Sequence, residues 1–193
     1  MINEPPGWLH LTALSAVAGV ILYWASVPHW YVIEMFLVGF FFGIPLWAIW
    51  AIRFALAMGR GTARARLTRW LVPVFIVAGL ATALAADAPF WLRFTISKPS
   101  MEAYARTVTA DTPRDFSCRW LGLYRICDAF PYYEWEENTE AIPGSACLIG
   151  EEWAIYSNTN FVLLPQGEPE ETGDDTYRHL MGHWYGWHGW DQW

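Results

Sequence analysis

The residues best suited to chemistry lie in the second half of the chain, and the first group is a histidine-rich tail. His179, His183 and His188 fall within ten residues, and imidazole nitrogens are ordinary ligands of zinc and copper. The carboxylates that could complete such a site are Asp174, Asp175 and Asp191. On a strand His179 and His183 are about 13 Å apart, so an alternative is that these residues pack a sheet. A stacking surface for flat ligands, built from the tryptophans of the tail, is a further alternative.

The three cysteines also lie in this half, and at most one disulfide can join them within a chain. Residues 120–127 are rich in strand formers. One continuous strand would hold Cys118 and Cys127 about 30 Å apart, beyond the reach of a bridge. The favoured prediction is a Cys127–Cys147 disulfide, since both cysteines share strand faces with apolar side chains. A Cys118–Cys147 bridge and free thiols remain open.

A run of acids forms the third group, and its members are Glu134, Glu136, Glu137 and Glu140. Paired carboxylates hydrolyse glycosides or bind calcium, but the regular spacing of a calcium loop is absent, and a solvated acidic edge explains the run equally well. The sequence contains no phosphate-binding loop, dinucleotide fingerprint, nucleophile elbow or zinc-protease motif. We therefore assign no catalytic residue, and a role other than catalysis is favoured.

These residues belong to a chain whose charge is unevenly divided. Residues 1–97 carry three acids and six arginines, a net charge of +3, whereas residues 98–193 carry sixteen acids and six bases, a net charge of −10. Hydrophobic residues make up 54% of the chain and charged residues only 16%, against roughly 25% charged in soluble domains. An apolar half is thus joined to an acidic half, and the acidic charge argues against nucleic acid as a partner.

The apolar half predicts a three-helix transmembrane domain over residues 1–92. A bilayer core about 30 Å thick requires about 20 apolar residues of helix, and three windows meet this length, at about 8–27, 30–52 and 70–87. The first lacks the basic leader of a signal peptide, so it is predicted to be a retained anchor. The lipid bilayer is therefore the first predicted partner.

Arginines predict the direction of insertion. Five of them cluster in or beside the connection 53–69, namely Arg53, Arg60, Arg64, Arg66 and Arg69. By the positive-inside rule this loop is cytoplasmic. We therefore expect a multi-pass protein of the plasma membrane, with its N-terminus inside and its acidic C-terminal domain outside.

Small residues indicate where the helices pack. Gly39 and Gly43 are spaced as in close-packed transmembrane pairs. Packing between helices of one chain is the simpler interpretation, and a homodimer through the same surface is the alternative. Pro45 is expected to kink or loosen this helix.

The external domain, residues 93–193, is predicted to be α+β. Apolar residues recur at helical spacing over 99–110, which predicts one amphipathic helix. It is expected to pack on an antiparallel sheet of four to six strands. The candidate strands are 120–127, 132–136, 147–149, 153–156, 161–164 and 184–187.

Several blocks of the chain resemble small integral membrane proteins of actinobacteria. The blocks are Asp87–Phe90, Arg93–Tyr104, Trp120–Ile126, Trp153–Ser157 and His179–Trp187. The resemblance covers roughly residues 68–190. It implies three transmembrane helices with a C-terminal external domain, and it supplies neither a function nor a functional residue.

Three functions follow as hypotheses. The leading one is a membrane-anchored protein whose external domain contacts a partner or the cell envelope. The second is a metal-binding or redox ectodomain that uses the histidine tail and the cysteines. The third is an envelope hydrolase that uses the acidic run.

Overall fold

The computed structural model describes residues 4–109, 117–133, 141–151, 159–171 and 175–189. The chain divides into two compact units. The first consists of Met1–Ala25 and Val32–Pro89, and the second of Ser26–Tyr31 and Phe90–Trp193. The second unit is therefore discontinuous in sequence, because it includes the short connection between the first two helical segments.

Helices form the first part of the chain. They are α1 (Trp8–Trp24), α2 (Val32–Val38), α3 (Ile44–Gly59), α4 (Leu67–Ala85) and α5 (Ala88–Ala105), with a π-helical turn at Gly39–Gly43 and a 3₁₀ turn at Arg64–Arg66. The strands that follow are β1 (Arg119–Leu121), β2 (Tyr124–Phe130), β3 (Ala146–Gly150), β4 (Thr159–Leu163), β5 (Thr176–His179) and β6 (Trp184–His188).

Two helical stretches of the first unit are long and apolar enough to cross a membrane by length and composition. Val32–Gly59, which joins α2, the π turn and α3, has 28 residues, and α4 has 19. They correspond to the predicted spans 30–52 and 70–87. The predicted span 8–27 corresponds to α1, which is apolar but has only 17 residues.

The π turn interrupts the longer stretch just before a proline. Pro45 stands in the first turn of α3. Proline has no N–H for the preceding turn, and its ring clashes with the carbonyl four residues back. Single π turns accommodate such a break without ending the helix. The expected loosening at Pro45 is thus seen as a change of helical winding over Gly39–Gly43.

An aromatic cluster joins α3 to α4. Trp70 is 1% exposed, and its carbonyl accepts a hydrogen bond of 3.0 Å from the indole Nε1 of Trp50. The rings of Trp47, Trp50 and Phe54 follow one another along α3, and Phe54 continues to Trp70. The connection 60–66 between these helices carries Arg60, Arg64 and Arg66. Arg53 and Arg69 of the predicted loop 53–69 are instead helical, in α3 and α4.

In the second unit, the predicted α+β class and the antiparallel sheet are confirmed. In the part of the unit that the structure describes, six strands pair in the order β1-β2-β3-β4-β6-β5, and every one of these pairings is antiparallel. Predicted strands 147–149, 161–164 and 184–187 are β3, β4 and β6. In the predicted strand 132–136 only Tyr133 pairs, as an isolated bridge to Ala141, and residues 134–136 lie outside the described part. Predicted strand 153–156 also lies outside it.

The helix of this domain is longer than predicted. We expected it over 99–110, but α5 runs from Ala88 to Ala105 with Pro99 inside it. The residues that α5 buries recur at three- and four-residue spacing, and they are Phe90, Arg93, Phe94, Ser97, Met101 and Ala105. One buried stripe thus begins well before residue 99, where the sequence predicted the helix to start, and continues past Pro99.

The sheet has two apolar faces because alternate residues of a strand point to opposite sides. We call the side that packs on α5 the helix face; Phe161 stacks there on Phe94, with ring centroids 5.9 Å apart. The opposite side, the outer face, carries a buried cluster of its own. Its members are Tyr132, Cys147, Ile149, Val162, Leu164, Tyr185 and Trp187.

The connection Ser26–Tyr31 packs on the helix face of the sheet. The backbone carbonyl of Ser26 accepts a 2.8 Å hydrogen bond from the Tyr124 hydroxyl, and that of Pro28 accepts a 3.0 Å bond from Arg178 Nη1. The ring of Pro28 lies directly over Gly186 of β6, where a Cβ would overlap it. Only glycine therefore fits at position 186.

Substituting Gly186→Ala should destabilise the domain by about 1–3 kcal/mol, the usual cost of overpacking, because a proline ring cannot rotate away. For a chain of this size each kcal/mol lowers the unfolding midpoint by about 2–4 °C, which thermal unfolding in detergent would measure. Gly59→Ala is the control, since a Cβ there meets nothing within 4 Å. Equal midpoints for the two variants would show that Pro28 does not constrain β6.

Candidate functional site

A tight hairpin brings Cys118 and Cys127 together. β1 and β2 pair with Leu121 opposite Tyr124 and Arg119 opposite Ile126, so Gly122 and Leu123 form a two-residue turn. Gly122 has a φ of +66°, as such turns require. Extending the register by one pair places Cys118 opposite Cys127, and the two form a disulfide.

The predicted Cys127–Cys147 disulfide is therefore wrong, and so is the Cys118–Cys147 alternative. The error was to treat 120–127 as one strand, when the chain reverses at Gly122. Cys147 pairs in register with Phe130, three residues or about 10 Å along β2 from Cys127. Its thiol takes part in no disulfide and is buried on the outer face.

A carboxylate and a guanidinium lie beside this disulfide. Glu151 Oε2 is 3.1 Å from Cys127 Sγ and 3.5 Å from Cys118 Sγ. Arg125 Nη1 is 3.6 Å from the same oxygen. Cys118 and Glu151 are exposed, and Cys127 is half-buried. We call Cys118, Cys127 and Glu151 the Cys–Glu cluster.

The structure separates the three histidines of the predicted metal site. His179 ends β5, with its ring against Tyr185 and its Nε2 2.9 Å from the carbonyl oxygen of Gly182. His188 ends β6 and lies on the other face of the sheet, and His183 is in the exposed turn between the strands. Among the described residues, the one group of three metal-ligating side chains within reach of each other is the Cys–Glu cluster.

Carboxylates named with these histidines have other surroundings. Asp175 is buried, and its Oδ1 accepts a 2.8 Å hydrogen bond from Trp187 Nε1. Asp174 and Asp191 lie outside the described residues, and so does the acidic run Glu134–Glu140.

His188 meets a histidine that the sequence analysis left aside. The ring centroids of His29 and His188 are 5.6 Å apart, and His29 Nε2 is 3.3 Å from the carbonyl oxygen of Gly186. The two residues are 159 positions apart in the chain, so no local pattern could have paired them. Burial is the largest influence on the pKa of His29 and lowers it. The hydrogen bond to the Gly186 carbonyl raises this pKa by less, and the nearby His188 and Arg178 lower it further.

Exposed apolar side chains lie beside the β1–β2 turn. The backbone of Leu123 lies against α5, where its N–H donates to Ser97 Oγ at 2.9 Å and its carbonyl accepts two bonds from Arg93. Leu123 and the α5 residues Leu92 and Ile96, which precede Arg93 and Ser97, are exposed between 46% and 67%. We call these three residues the apolar surface. Trp120, 68% exposed, pairs with Arg125 and therefore points to the outer face of the sheet, away from α5.

Gly39 and Gly43 both line an apolar groove of the first unit, with a volume of about 400 Å³. A Cβ on Gly43 would lie 3.8 Å from Val17 Cγ1 of α1, whereas a Cβ on Gly39 would meet nothing within 4 Å. Gly43 thus faces α1, and Gly39 opens on the groove; the packing role of the pair stays a prediction.

Comparison of the chain with protein-family models, with curated proteins and with solved structures finds no match. The resemblance to actinobacterial membrane proteins stays a prediction.

Peptide mapping should find one cross-linked pair, Cys118 with Cys127, in the untreated protein. A mild reductant should then make both thiols available to alkylation without unfolding, because Cys118 is exposed, while Cys147 should react only after denaturation. The variant Cys147→Ala should keep the cross-link. Its loss in that variant would restore one of the bridges to Cys147.

Acid should destabilise the domain through His29. Its pKa in the folded state lies below the ordinary value of 6.5, so the unfolded chain binds more protons as the pH falls through 6.5. Stability is full above this pH and declines below it, until the pH falls beneath the folded pKa. Thermal unfolding between pH 8 and pH 5 would measure the decline.

The matched variants are His29→Gln, which should lose less stability toward acid than the natural chain, and His179→Gln, at an exposed position, which should behave like the natural chain. Identical slopes for all three proteins would exclude His29 as the group responsible.

Proposed function

We propose that this protein is a multi-pass membrane anchor whose external domain binds a protein partner of the cell envelope through the apolar surface. The N-terminus is inside, and the second unit is outside. The role is one of recognition rather than catalysis.

Anchoring is supported by what the apolar helices expose. Only 6% of the best window in Val32–Gly59, and 11% of that in α4, is buried inside the protein, whereas the core helix of a soluble domain buries most of its apolar residues. Large exposed side chains follow the longer stretch: Phe36, Phe40, Phe41, Phe42, Ile44, Ile49 and Ile52. Contiguous apolar surface of this extent is typical of a membrane or a protein interface, and this supports our proposal that lipid surrounds these helices.

The observation that carries the proposal is the make-up of the second unit. It contains both the connection Ser26–Tyr31 and everything from Phe90 onward. If α1, Val32–Gly59 and α4 each cross once, both of these segments emerge on the same side, as one folded unit requires. The connection 60–66, with its arginines, then lies on the cytoplasmic side.

The disulfide fits this direction. A disulfide persists in an oxidising compartment outside the cytosol, and Cys118–Cys127 belongs to the second unit.

The length of α1 is compatible with a crossing. α1 is about 26 Å long at 1.5 Å per residue, slightly short of the hydrocarbon core, and bilayers accommodate such mismatches by local thinning.

Partner binding is supported by the apolar surface. Exposed aliphatic side chains on a charged domain are typical of interaction sites. Leu92 is 67% exposed, Ile96 53% and Leu123 46%. The hydrogen bonds that Leu123 accepts from Arg93 and donates to Ser97 hold the turn in place, so little conformational freedom is lost on binding.

Labelling of one introduced cysteine at a time, in a Cys147→Ala background that keeps the Cys118–Cys127 disulfide, tests the orientation of the second unit and its contact with a partner. The engineered positions are Leu123→Cys on the apolar surface, Gln166→Cys on the exposed 165–171 segment, and Thr68→Cys at the start of α4. With a membrane-impermeant maleimide, intact cells should label Gln166→Cys at once and Thr68→Cys only after permeabilisation. Leu123→Cys should label more slowly in cells than in purified lipid nanodiscs, where the partner is absent.

The outcomes separate the parts of the proposal. Labelling of Thr68→Cys in intact cells with protection of Gln166→Cys would reverse the orientation. If Leu123→Cys labels equally fast in cells and in nanodiscs, no partner covers this surface. If it labels equally slowly in both, lipid covers the surface instead of a partner.

A further inference from the structure

The Cys–Glu cluster joins three side chains whose donor atoms all lie within 4.8 Å of one another. In the disulfide form neither sulfur carries a proton, so the approaches of 3.1 and 3.5 Å to Glu151 Oε2 are contacts and not hydrogen bonds. Thiolate sulfur and carboxylate oxygen are both zinc ligands. The cluster therefore holds a potential ligand set that the disulfide keeps closed.

The backbone fixes all three residues independently of the disulfide. Cys118 directly precedes β1 and Cys127 lies within β2, each one residue beyond the last β1–β2 pair, Arg119 with Ile126. Glu151 directly follows β3, and its N–H donates to the carbonyl of Arg125 at 3.0 Å. Opening the disulfide leaves these pairings in place, so the three side chains stay adjacent.

The distances suit a tetrahedral ion. With Zn–S of about 2.3 Å and Zn–O of about 2.0–2.1 Å, two sulfur ligands lie about 3.8 Å apart, and sulfur and oxygen about 3.6 Å apart. The sulfur–oxygen distances already present, 3.1 and 3.5 Å, are close to this edge. A disulfide holds its sulfurs at about 2.05 Å, so only separation of the two sulfurs is missing.

We propose that reduction of the Cys118–Cys127 disulfide creates a zinc(II) site formed by Cys118, Cys127 and Glu151. Three protein ligands leave the fourth position for water or a ligand from a partner. Two thiolates, one carboxylate and Zn²⁺ sum to one negative charge, and the guanidinium of Arg125, 3.6 Å from Glu151 Oε2, offsets it.

The reductant is a protein dithiol of the thioredoxin type. One of its thiolates attacks the exposed Cys118 Sγ, and Cys127 leaves as a thiolate. The second thiolate of the reductant then attacks the reductant's other sulfur, which is bonded to Cys118 in the mixed disulfide. That bond breaks, and Cys118 leaves as a thiolate. Two electrons pass to this chain, the reductant departs as a disulfide, and Zn²⁺ binds the two thiolates and Glu151.

The test uses the full chain in detergent with Cys147→Ala, so that two cysteines remain. Zinc is titrated against a chromophoric chelator before and after reduction with a phosphine under anaerobic conditions. We expect one zinc per chain in the reduced protein and none in the oxidised protein. Cobalt(II) should give the charge-transfer absorption of thiolate ligands in the reduced protein alone.

The matched pair of variants is Glu151→Gln and Glu168→Gln, both at exposed glutamates. Replacing a residue that only contacts a metal ligand weakens metal binding by roughly 10-fold or more. Glu151→Gln removes a ligand and should weaken zinc binding by at least this much, whereas Glu168→Gln should bind zinc like its parent. Circular dichroism checks that both variants fold.

Three results would overturn the proposal. The reduced protein takes up no zinc, the oxidised protein takes up as much, or Glu151→Gln binds as tightly as Glu168→Gln. None of them bears on the apolar surface, so this inference and the proposed function fail separately.

Discussion

Two arginines, Arg93 and Arg178, hold the connection Ser26–Tyr31 inside the second unit. Arg93 is 8% exposed; it donates to Ser26 Oγ and to the carbonyl of Leu123, and its guanidinium lies 4.1 Å above the ring of Tyr124. Arg178 is half-buried; it donates to the carbonyl of Pro28 and lies over the ring of Phe90. Burying a cation is costly unless its donors are satisfied, so these acceptors permit the charge of Arg93 in an apolar interior and that of Arg178 at a half-buried position.

The same arrangement positions the surface features. Arg93 and Ser97 of α5 bind the backbone of Leu123, and Gly122 fits against Ser97 because a Cβ would come within 2.5 Å of its Cα. The turn fixed in this way sets the register of β1 and β2 and hence the meeting of Cys118 with Cys127. One helix face thus determines the apolar surface and, through the hairpin, the Cys–Glu cluster.

Local patterns predicted what depends on local physics. Strands β3, β4 and β6 coincide with short apolar runs that contain β-branched or aromatic residues. These runs predicted the sheet, and the sheet together with the helix predicted the α+β class. β5 was missed because Thr176–His179 is short and polar, and it is held by its pairing with β6. The hairpin between β1 and β2 was missed because Gly122-Leu123 is not an Asn-Gly or Asp-Gly pair, the strongest sequence signal of a two-residue turn. A glycine inside a strand pattern is nevertheless a known sign of a break in the strand.

Contacts between distant segments were beyond such patterns. Nothing around Pro28 announces that it will cover Gly186, and nothing around His29 points to His188. The disulfide failed for a related reason, because cysteine pairing depends on register, and register depends on the turn. The sequence therefore identified Cys118 and Cys127 but paired them wrongly. It did not single out Glu151, which reaches the two cysteines only through the pairing of β2 with β3.

The discontinuous make-up of the second unit has a consequence for the order of folding. Domains generally form as they are synthesised, from the N-terminus onward, but this one needs both its earliest loop and its last strand. Tyr124 closes on Ser26 across 98 residues, and Gly186 meets His29 across 157. Contacts of such long range slow folding. A fragment that begins after α4 would lack the connection Ser26–Tyr31 and, with it, the contacts that this segment makes with β2, β5 and β6.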